Sequence, residues 1–445
     1  MVRHFAHDGP STTPARVWAE RPEWSAVAAV DLDGFDEVVV VSAHPDDETL
    51  GAGGLMATAA AVGVDVHLIV CTSGEGSHPH SPTHGPELLA RRRKDEVRSA
   101  LRALAADAAL TLLHLPDGQV EDHEQSLVDV LVRVLGDARR TLLVAPWRHD
   151  GHRDHDAAGR AAAAAAHRTG ATLWEYPVWW WHWAIPEEAP WADLRRLDLS
   201  EDAVERRSRA LVHHRSQIEP LSEAPGDEAL LRPAFLEHFA GCHERFVLEG
   251  AADDALDSVH RGQADPWGVD HHWYEQRKRA VTLALLPRAR FTRTLEIGCS
   301  VGALTADLAD RSDRVVAVDS SAAAVVAARR RLASSDPRVD VRCADVTTWW
   351  PDGTFDLIVV SEVGYFLSPH GLDTLIERIR GSLTDDGVVL LCHWRHDVAG
   401  WVLDGPQVHE AFERAELRPV QARHTERDFA ALALCAPSGW PGAGA

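Results

Sequence analysis

Short runs of apolar residues recur along this chain, separated by stretches in which apolar positions return every three or four residues. Glu37–Val41, Val64–Thr72, Leu110–Leu115, Leu142–Ala145 and Leu173–Trp179 read as strands. Leu50–Val62, Leu88–Leu104, Ser126–Leu135 and Ala157–Arg168 read as helices, the first stopping at Gly63. The strands are apolar at nearly every position, which suits burial on both faces, and their alternation with helices predicts a mostly parallel sheet. A helix-breaking zone around Pro220–Asp227 leads to an expected helical tail over Ala234–Phe246. Residues 251–263 are acidic, small and aperiodic, and read as a linker.

Beyond the linker the alternation restarts. Thr294–Ile297, Val315–Val318, Val339–Cys343, Leu357–Val360 and Val388–Cys392 are expected strands, with helices at Ala303–Ala309, Ala322–Leu332 and Leu372–Leu383. A chain of 445 residues is too long for one ordinary core. The expected class is therefore α/β, with two Rossmann-like domains, each a mostly parallel sheet flanked by helices. They occupy residues 1–250 and 264–445.

Charge narrows the partners. A net charge of −23 argues against nucleic acid or an anionic membrane surface and favours small neutral or cationic molecules. Six cysteines lie far apart with no CxxC pair, which suits reduced thiols and a cytoplasmic location. Met1–Pro14 lacks the apolar core of a signal peptide, and no window reaches transmembrane length. The pattern does not speak to oligomeric state.

Two polar clusters follow apolar strands. Ala43-His44-Pro45-Asp46-Asp47-Glu48 comes after the first, and His149-Asp150-Gly151-His152-Arg153-Asp154-His155 after the fourth. Proline ends the first strand, and the carboxyl edge of an open α/β sheet is where ligands bind. A hydrolytic metal site uses three His or carboxylate ligands and leaves a position for water. His44, Asp47 and His155 can supply that set. Asp46 is then free as general base, His152 can stabilise an oxyanion, and Asp154 can orient a histidine. The bland readings are a charged helix N-terminus for residues 46–48 and a polar turn for residues 149–155. The coincidence of both clusters at strand ends of one sheet favours the metal.

These residues, with Thr72-Ser73-Gly74-Glu75, Leu115-Pro116-Asp117-Gly118 and His214-Arg215-Ser216-Gln217, resemble the PIG-L/LmbE-like deacetylases over roughly residues 36–248. The resemblance implies zinc-dependent hydrolysis of an N-acetyl group, often on a glucosamine-containing molecule. By position it implies His44, Asp47 and His155 as zinc ligands, Asp46 as base and His152 as oxyanion stabiliser. Arg153 departs from the pattern, where proline is commoner; little mechanistic effect is expected. The tryptophan-rich stretch Trp174–Trp183 allows two readings, indoles stacked on a sugar or alternate indoles filling the core and an interdomain contact, and the second is preferred.

In the second half Leu295-Glu296-Ile297-Gly298-Cys299-Ser300-Val301-Gly302 joins a strand to a helix, and Asp319 ends the next strand. Glycines admit a sharp turn and a close ligand, and the acid suits ribose hydroxyls. A plain tight turn and an NAD site are the rivals, but a full GxGxxG is lacking. The Glu-x-Gly-x-x-x-Gly form resembles class I S-adenosylmethionine-dependent methyltransferases. That resemblance implies cofactor contacts from Glu296, Gly298, Ser300, Gly302, Asp319, Asp345, Val346 and Ser361. Asp265-Pro266-Trp267-Gly268 and Trp273-Tyr274-Glu275-Gln276-Arg277-Lys278 resemble the NodS-like N-methyltransferases, which places Trp273 and Tyr274 over the cofactor. Glu362 is the first choice to receive the acceptor's proton, ahead of His393 and His396, and His393-Trp394-Arg395-His396 could line the acceptor pocket. The expected whole is a bifunctional enzyme that deacetylates a small N-acetylated amino sugar or glycosylated metabolite and then N-methylates it; the alternatives are two activities on unrelated substrates, methylation of oxygen, or one half acting only as a binding module.

Overall fold

A computed structural model describes residues 13–263, 265–332 and 338–440; most of the polar lead-in, residues 1–12, lies outside the described residues. The chain divides into two compact units. One holds the chain up to His167 together with Ala171–Ala252, and the other holds Arg168–Gly170 and the chain from Asp253 on.

The first unit is an eight-stranded sheet. Its strands are β1 (Ala28–Val30), β2 (Glu37–Ser42), β3 (Asp65–Thr72), β4 (Ala109–Leu115), β5 (Thr141–Pro146), β6 (Thr172–Tyr176), β7 (Leu194–Asp198) and β8 (His243–Val247). Their order is β1-β7-β8-β6-β5-β2-β3-β4, with β2 to β6 running parallel. Val38 to Val41 and Leu142 to Ala145 are fully buried, which is what the continuous apolar runs of central parallel strands require. The chain leaves β2 toward β3 on one side and returns to β5 on the other, so the crevice between the ends of β2 and β5 is the switch point of the sheet. Both polar clusters emerge there.

Helices cover the sheet at Asp47–Val62, Pro86–Leu104, Glu124–Leu135 and Arg153–Thr169. Arg153 is the first helical residue, where proline is also well suited, so the departure at this position leaves the helix start intact. Among the described residues no helix is long and apolar enough to cross a membrane.

Several expectations change. The helical tail over Ala234–Phe246 is instead a four-residue helix, a 3-10 turn and β8. The charged residues of β8 hide its alternation. Glu244 and Phe246 face inward, and the Glu244 carboxylate accepts the N–H groups of Gly54 and Leu55 at 2.6 and 2.7 Å. Strand β6 stops at Tyr176, before Pro177, rather than at Trp179. The sheet also gains β1 and β7, and β8 runs antiparallel to β6 and β7. Residues 251–263 are not a bare linker. They carry the helix Ala255–Gly262, whose Asp257 accepts from the Ser321 hydroxyl at 2.7 Å and the Ala323 N–H at 3.0 Å.

The second unit has seven strands, β9 (Phe291–Ile297), β10 (Ser312–Asp319), β11 (Val339–Cys343), β12 (Phe355–Ser361), β13 (Leu383–Trp394), β14 (Val420–Thr425) and β15 (Phe429–Cys435). Their order is β11-β10-β9-β12-β13-β15-β14, parallel up to β13 and antiparallel beyond. The switch point lies between β9 and β12, where the glycine loop and Ser361-Glu362 stand. The tryptophan stretch is core: Trp179, Trp180 and Trp181 are buried, and Trp180 and Trp181 pack with Trp18 and Trp147.

Candidate functional site

At the β2 end the chain turns through Pro45 into a helix, and the turn places three candidate ligands around one point. His44 Nδ1 lies 3.3 Å from His155 Nε2, His44 Nδ1 3.4 Å from Asp47 Oδ2, and His155 Nε2 3.2 Å from Asp47 Oδ2. Ligands bound tetrahedrally at about 2.0–2.1 Å stand roughly 3.3–3.4 Å apart, so this triangle has the dimensions of one zinc face.

Carboxylates face the outer nitrogens. His44 Nε2 lies 3.2 Å from both Asp117 Oδ1 and Asp154 Oδ2, and His155 Nδ1 lies 2.8 Å from Asp150 Oδ2. A proton on each outer nitrogen would leave His44 Nδ1 and His155 Nε2 with lone pairs aimed inward. The residues therefore fit a divalent metal. Burial opposes charge on His155, yet Asp47 and Asp150 raise its pKa to about 10. His44 is likewise raised despite its burial, through Asp117, Asp154 and Asp47.

Asp46 sits beside the ligands in a strained backbone conformation (φ 139°) that side chains rarely adopt. Buried Arg93 restrains it: the guanidinium lies 3.1 Å from Asp46 Oδ1 and donates to Pro45 O at 2.7 Å and Gly74 O at 2.9 Å. Burial, only partly offset by Arg93, pushes the Asp46 carboxyl up to about 6. His152 stands at the half-buried rim, its ring 4.9 Å from that of His44. Its Nδ1 accepts the Asp154 N–H at 3.2 Å, which assigns the proton of the neutral ring to Nε2. Behind the site Glu48 accepts from Asp46 N at 3.0 Å and lies 3.3 Å from His214.

Asp154 touches His44, as a histidine-orienting carboxylate should, but His155 is held by Asp150. That aspartate also accepts the N–H groups of Val178, Trp179 and Trp180 at 2.7, 3.0 and 2.9 Å. Sequence reasoning gave no role to Asp150, Asp117 or Arg93. Arg93 did leave a signal, since it falls at helical spacing between the buried Leu89 and Val97.

In the second unit the glycine loop turns at Gly298 and Gly302, both with φ near 79°, and the Asp319 carboxylate accepts Ser300 N at 2.8 Å and Ser321 N at 2.9 Å. Glu296 Oε2, Ser300 Oγ and the Tyr274 hydroxyl are buried with no hydrogen-bond partner among the described residues. Burial pushes Glu296 up to about 8. Unpaired buried polar atoms are costly, and a ligand bringing donors and an ammonium group suits them. Asp345 closes a turn onto Thr347 at 2.7 Å, Val346 is core, and Ser361 ends β12.

The structure places the other expected residues of this half as follows. Trp273 is 73% exposed and is not drawn into the site; Tyr274 packs against Trp394 and Phe429. Lys278 lies 3.1 Å from one oxygen of Glu362, while Tyr365 and Trp394 N–H donate to the other. His393 is fully buried, accepting from Gly364 N at 3.2 Å and contacting His409 at 3.0 Å. His396 pairs with Asp428 at 2.9 Å on an exposed surface.

Comparison with known proteins follows the same division. Residues 39–166 match the model of GlcNAc-PI de-N-acetylase, the PIG-L family, and residues 294–387 match a methyltransferase domain. A 1D-myo-inositol 2-acetamido-2-deoxy-alpha-D-glucopyranoside deacetylase of Rhodococcus jostii (strain RHA1) is 31% identical over 291 residues, covering 53% of this chain and 98% of that protein. Nodulation protein S of Sinorhizobium fredii is 37% identical over 133 residues, covering 29% of this chain and 61% of that protein. The chain spans 61%, 43% and 54% of the first three curated relatives it matches. Among solved structures, N-methyltransferase NodS from Bradyrhizobium japonicum WM9 with S-adenosyl-L-homocysteine aligns at 24% identity and a TM-score of 0.38, over 42% of this chain and all of that one. N,N'-diacetylchitobiose deacetylase from Pyrococcus horikoshii aligns at 20% identity and a TM-score of 0.34, over 42% of this chain and 74% of that one. This chain belongs to the PIG-L de-N-acetylase family through its first half and carries a methyltransferase domain in its second.

Proposed function

We propose that the chain is a bifunctional cytoplasmic enzyme that removes the acetyl group from an N-acetylated amino sugar with zinc and then N-methylates the exposed amine with S-adenosylmethionine. The observation that carries the first step is the triangle of His44, Asp47 and His155, with the buried Asp46 carboxyl beside it. Zinc held there supplies Lewis-acid activation of water and of the acyl oxygen. Asp46 takes the water's proton and passes it to the departing nitrogen, a shuttle served by a carboxyl near pH 6. Arg93 keeps that carboxylate in place, and His152 offers its Nε2 proton to the oxygen that becomes anionic.

An acetamide nitrogen is a weak nucleophile because its lone pair is delocalised into the carbonyl. Hydrolysis removes that delocalisation and yields the primary amine an N-methyltransferase needs. S-adenosylmethionine supplies a methyl group on sulfonium. Glu296, Gly298, Ser300, Gly302, Asp319, Asp345, Val346, Ser361 and Tyr274 form the cradle we assign to it. Alignment of donor and acceptor is the main task of this half. Glu362 serves to hold Lys278, Tyr365 and the β13 end together.

The test is mass spectrometry of an acetamido-sugar panel incubated with the protein, zinc and S-adenosylmethionine. Loss of acetyl followed by gain of methyl supports the ordered scheme. Methyl gained with acetyl retained, or free amine persisting beside the methyl donor, refutes it and assigns the two halves unrelated substrates. Calorimetry with S-adenosylhomocysteine separates a working second half from a purely structural one.

A further inference from the structure

The loop after β3 forms one wall of the candidate metal centre. Its Gly76 N–H donates to Asp117 Oδ2 at 2.8 Å, and the other oxygen of Asp117 lies 3.2 Å from His44 Nε2. A carboxylate held in this way keeps the His44 proton outward and the Nδ1 lone pair toward the metal. Thr72 Oγ1 and Arg93 hold neighbouring Gly74, while Gly76 itself is exposed.

The rest of that loop is clasped by a second loop from a distant part of the sequence. Asp227, fully buried, accepts from the hydroxyls of Ser81 and Thr83 on the first loop and of Ser222 on its own. His78 Nε2 donates to Glu228 O at 3.0 Å, and a Cβ on Gly226 would stand 2.5 Å from His80 O, so the two loops are in close contact. Burial disfavours the charged Asp227 carboxylate, but the hydroxyls of Ser222, Ser81 and Thr83 hold its pKa near 2. A carboxylate accepting three hydroxyls is replaced by no neutral side chain, since an amide keeps only one accepting oxygen.

We propose that Asp227 is a remote positioning residue for the metal centre, acting through the loop, Gly76 and Asp117 on His44. It touches neither substrate nor metal. This rests on the zinc reading of His44, Asp47 and His155. The two end links are hydrogen bonds or ion contacts and the backbone from Gly76 to Ser81 joins them, so the coupling has a physical path that can be cut at two places.

The experiment measures zinc affinity of the full chain by chelator competition, for wild type, Asp227→Asn, Asp117→Asn and the double variant. We expect Asp227→Asn to weaken zinc binding about 10-fold, the low end of the effect of outer partners on a ligand. In the Asp117→Asn background the same change should have no further effect, because its route is already severed. Equal weakening in both backgrounds, or none in either, overturns the proposal. Wild-type protein that binds no zinc overturns the underlying reading as well. Should Asp227→Asn not fold, Ser81→Ala and Thr83→Val each remove one donor and must show a smaller loss that again vanishes in the Asp117→Asn background.

Discussion

Replacing Asp150 by asparagine tests the metal centre at a residue that is not itself a ligand. The wild-type carboxylate is fully buried, with Oδ1 accepting Val178 N and Trp180 N, and Oδ2 accepting Trp179 N and facing His155 Nδ1 at 2.8 Å. An asparagine oxygen placed at Oδ1 keeps the first pair, but its amide nitrogen then meets two donors at the other position. Leaving the Trp179 N–H unsatisfied costs about 1–3 kcal/mol. The histidine must respond by moving its proton from Nδ1 to Nε2, which removes the lone pair that faces Asp47 and His44. Zinc affinity should fall about 10- to 100-fold. Chelator competition reads the affinity, and urea unfolding of the metal-free protein reads the stability. If Asp150→Asn keeps wild-type zinc affinity while losing stability, the tautomer argument is wrong and Asp150 only ties the tryptophan turn.

The remaining expectations concern packing, the glycine loop and pH. Gly51→Ala would place a Cβ 2.1 Å from the Tyr176 ring, so the helix after β2 must shift, costing about 1–3 kcal/mol by denaturant unfolding; unchanged stability would contradict that contact. Gly298→Ala forces an alanine to φ 79° with its Cβ 2.7 Å from Val363 Cβ, and S-adenosylhomocysteine binding by calorimetry should weaken at least about 10-fold. Burial, then Arg423, lowers His409 to about 4 against the opposing pull of Glu413, and burial together with His409 and Lys278 lowers His393 as well. The unfolded chain thus binds more protons than the folded one between about pH 4 and pH 6.5, so stability falls on acidification through that window. The loss is about 1.4 kcal/mol per pH unit per histidine. His409→Gln should flatten the difference between urea midpoints at about pH 7 and about pH 5, and an unaltered difference would show that these histidines are not the cause.

Much of this was legible in the chain because each signal was local. Val38 to Val41 is apolar at every position, so a central strand needed no partner to be recognised. His44, Asp46 and Asp47 lie within one turn, and His152 and His155 within another, so spacing alone grouped them. Strand β8 was missed because Glu244 points into the core, where the Gly54 and Leu55 N–H groups and nearby Arg207 receive it. The helix Ala255–Gly262 was missed because its partner at Ser321 and Ala323 is remote in sequence.

Sequence by itself determined which chemical groups stand at the strand ends, because strand termination and ligand spacing depend on neighbours a few residues apart. Only the tertiary structure decided what those groups can do. Asp150 and Asp117 face the outer nitrogens of two histidines, Arg93 restrains the base, and Lys278 with Tyr365 occupies the carboxylate of Glu362. Protonation and orientation depend on distances across the fold, and a burial that disfavours charge acts only once the chain has closed around it.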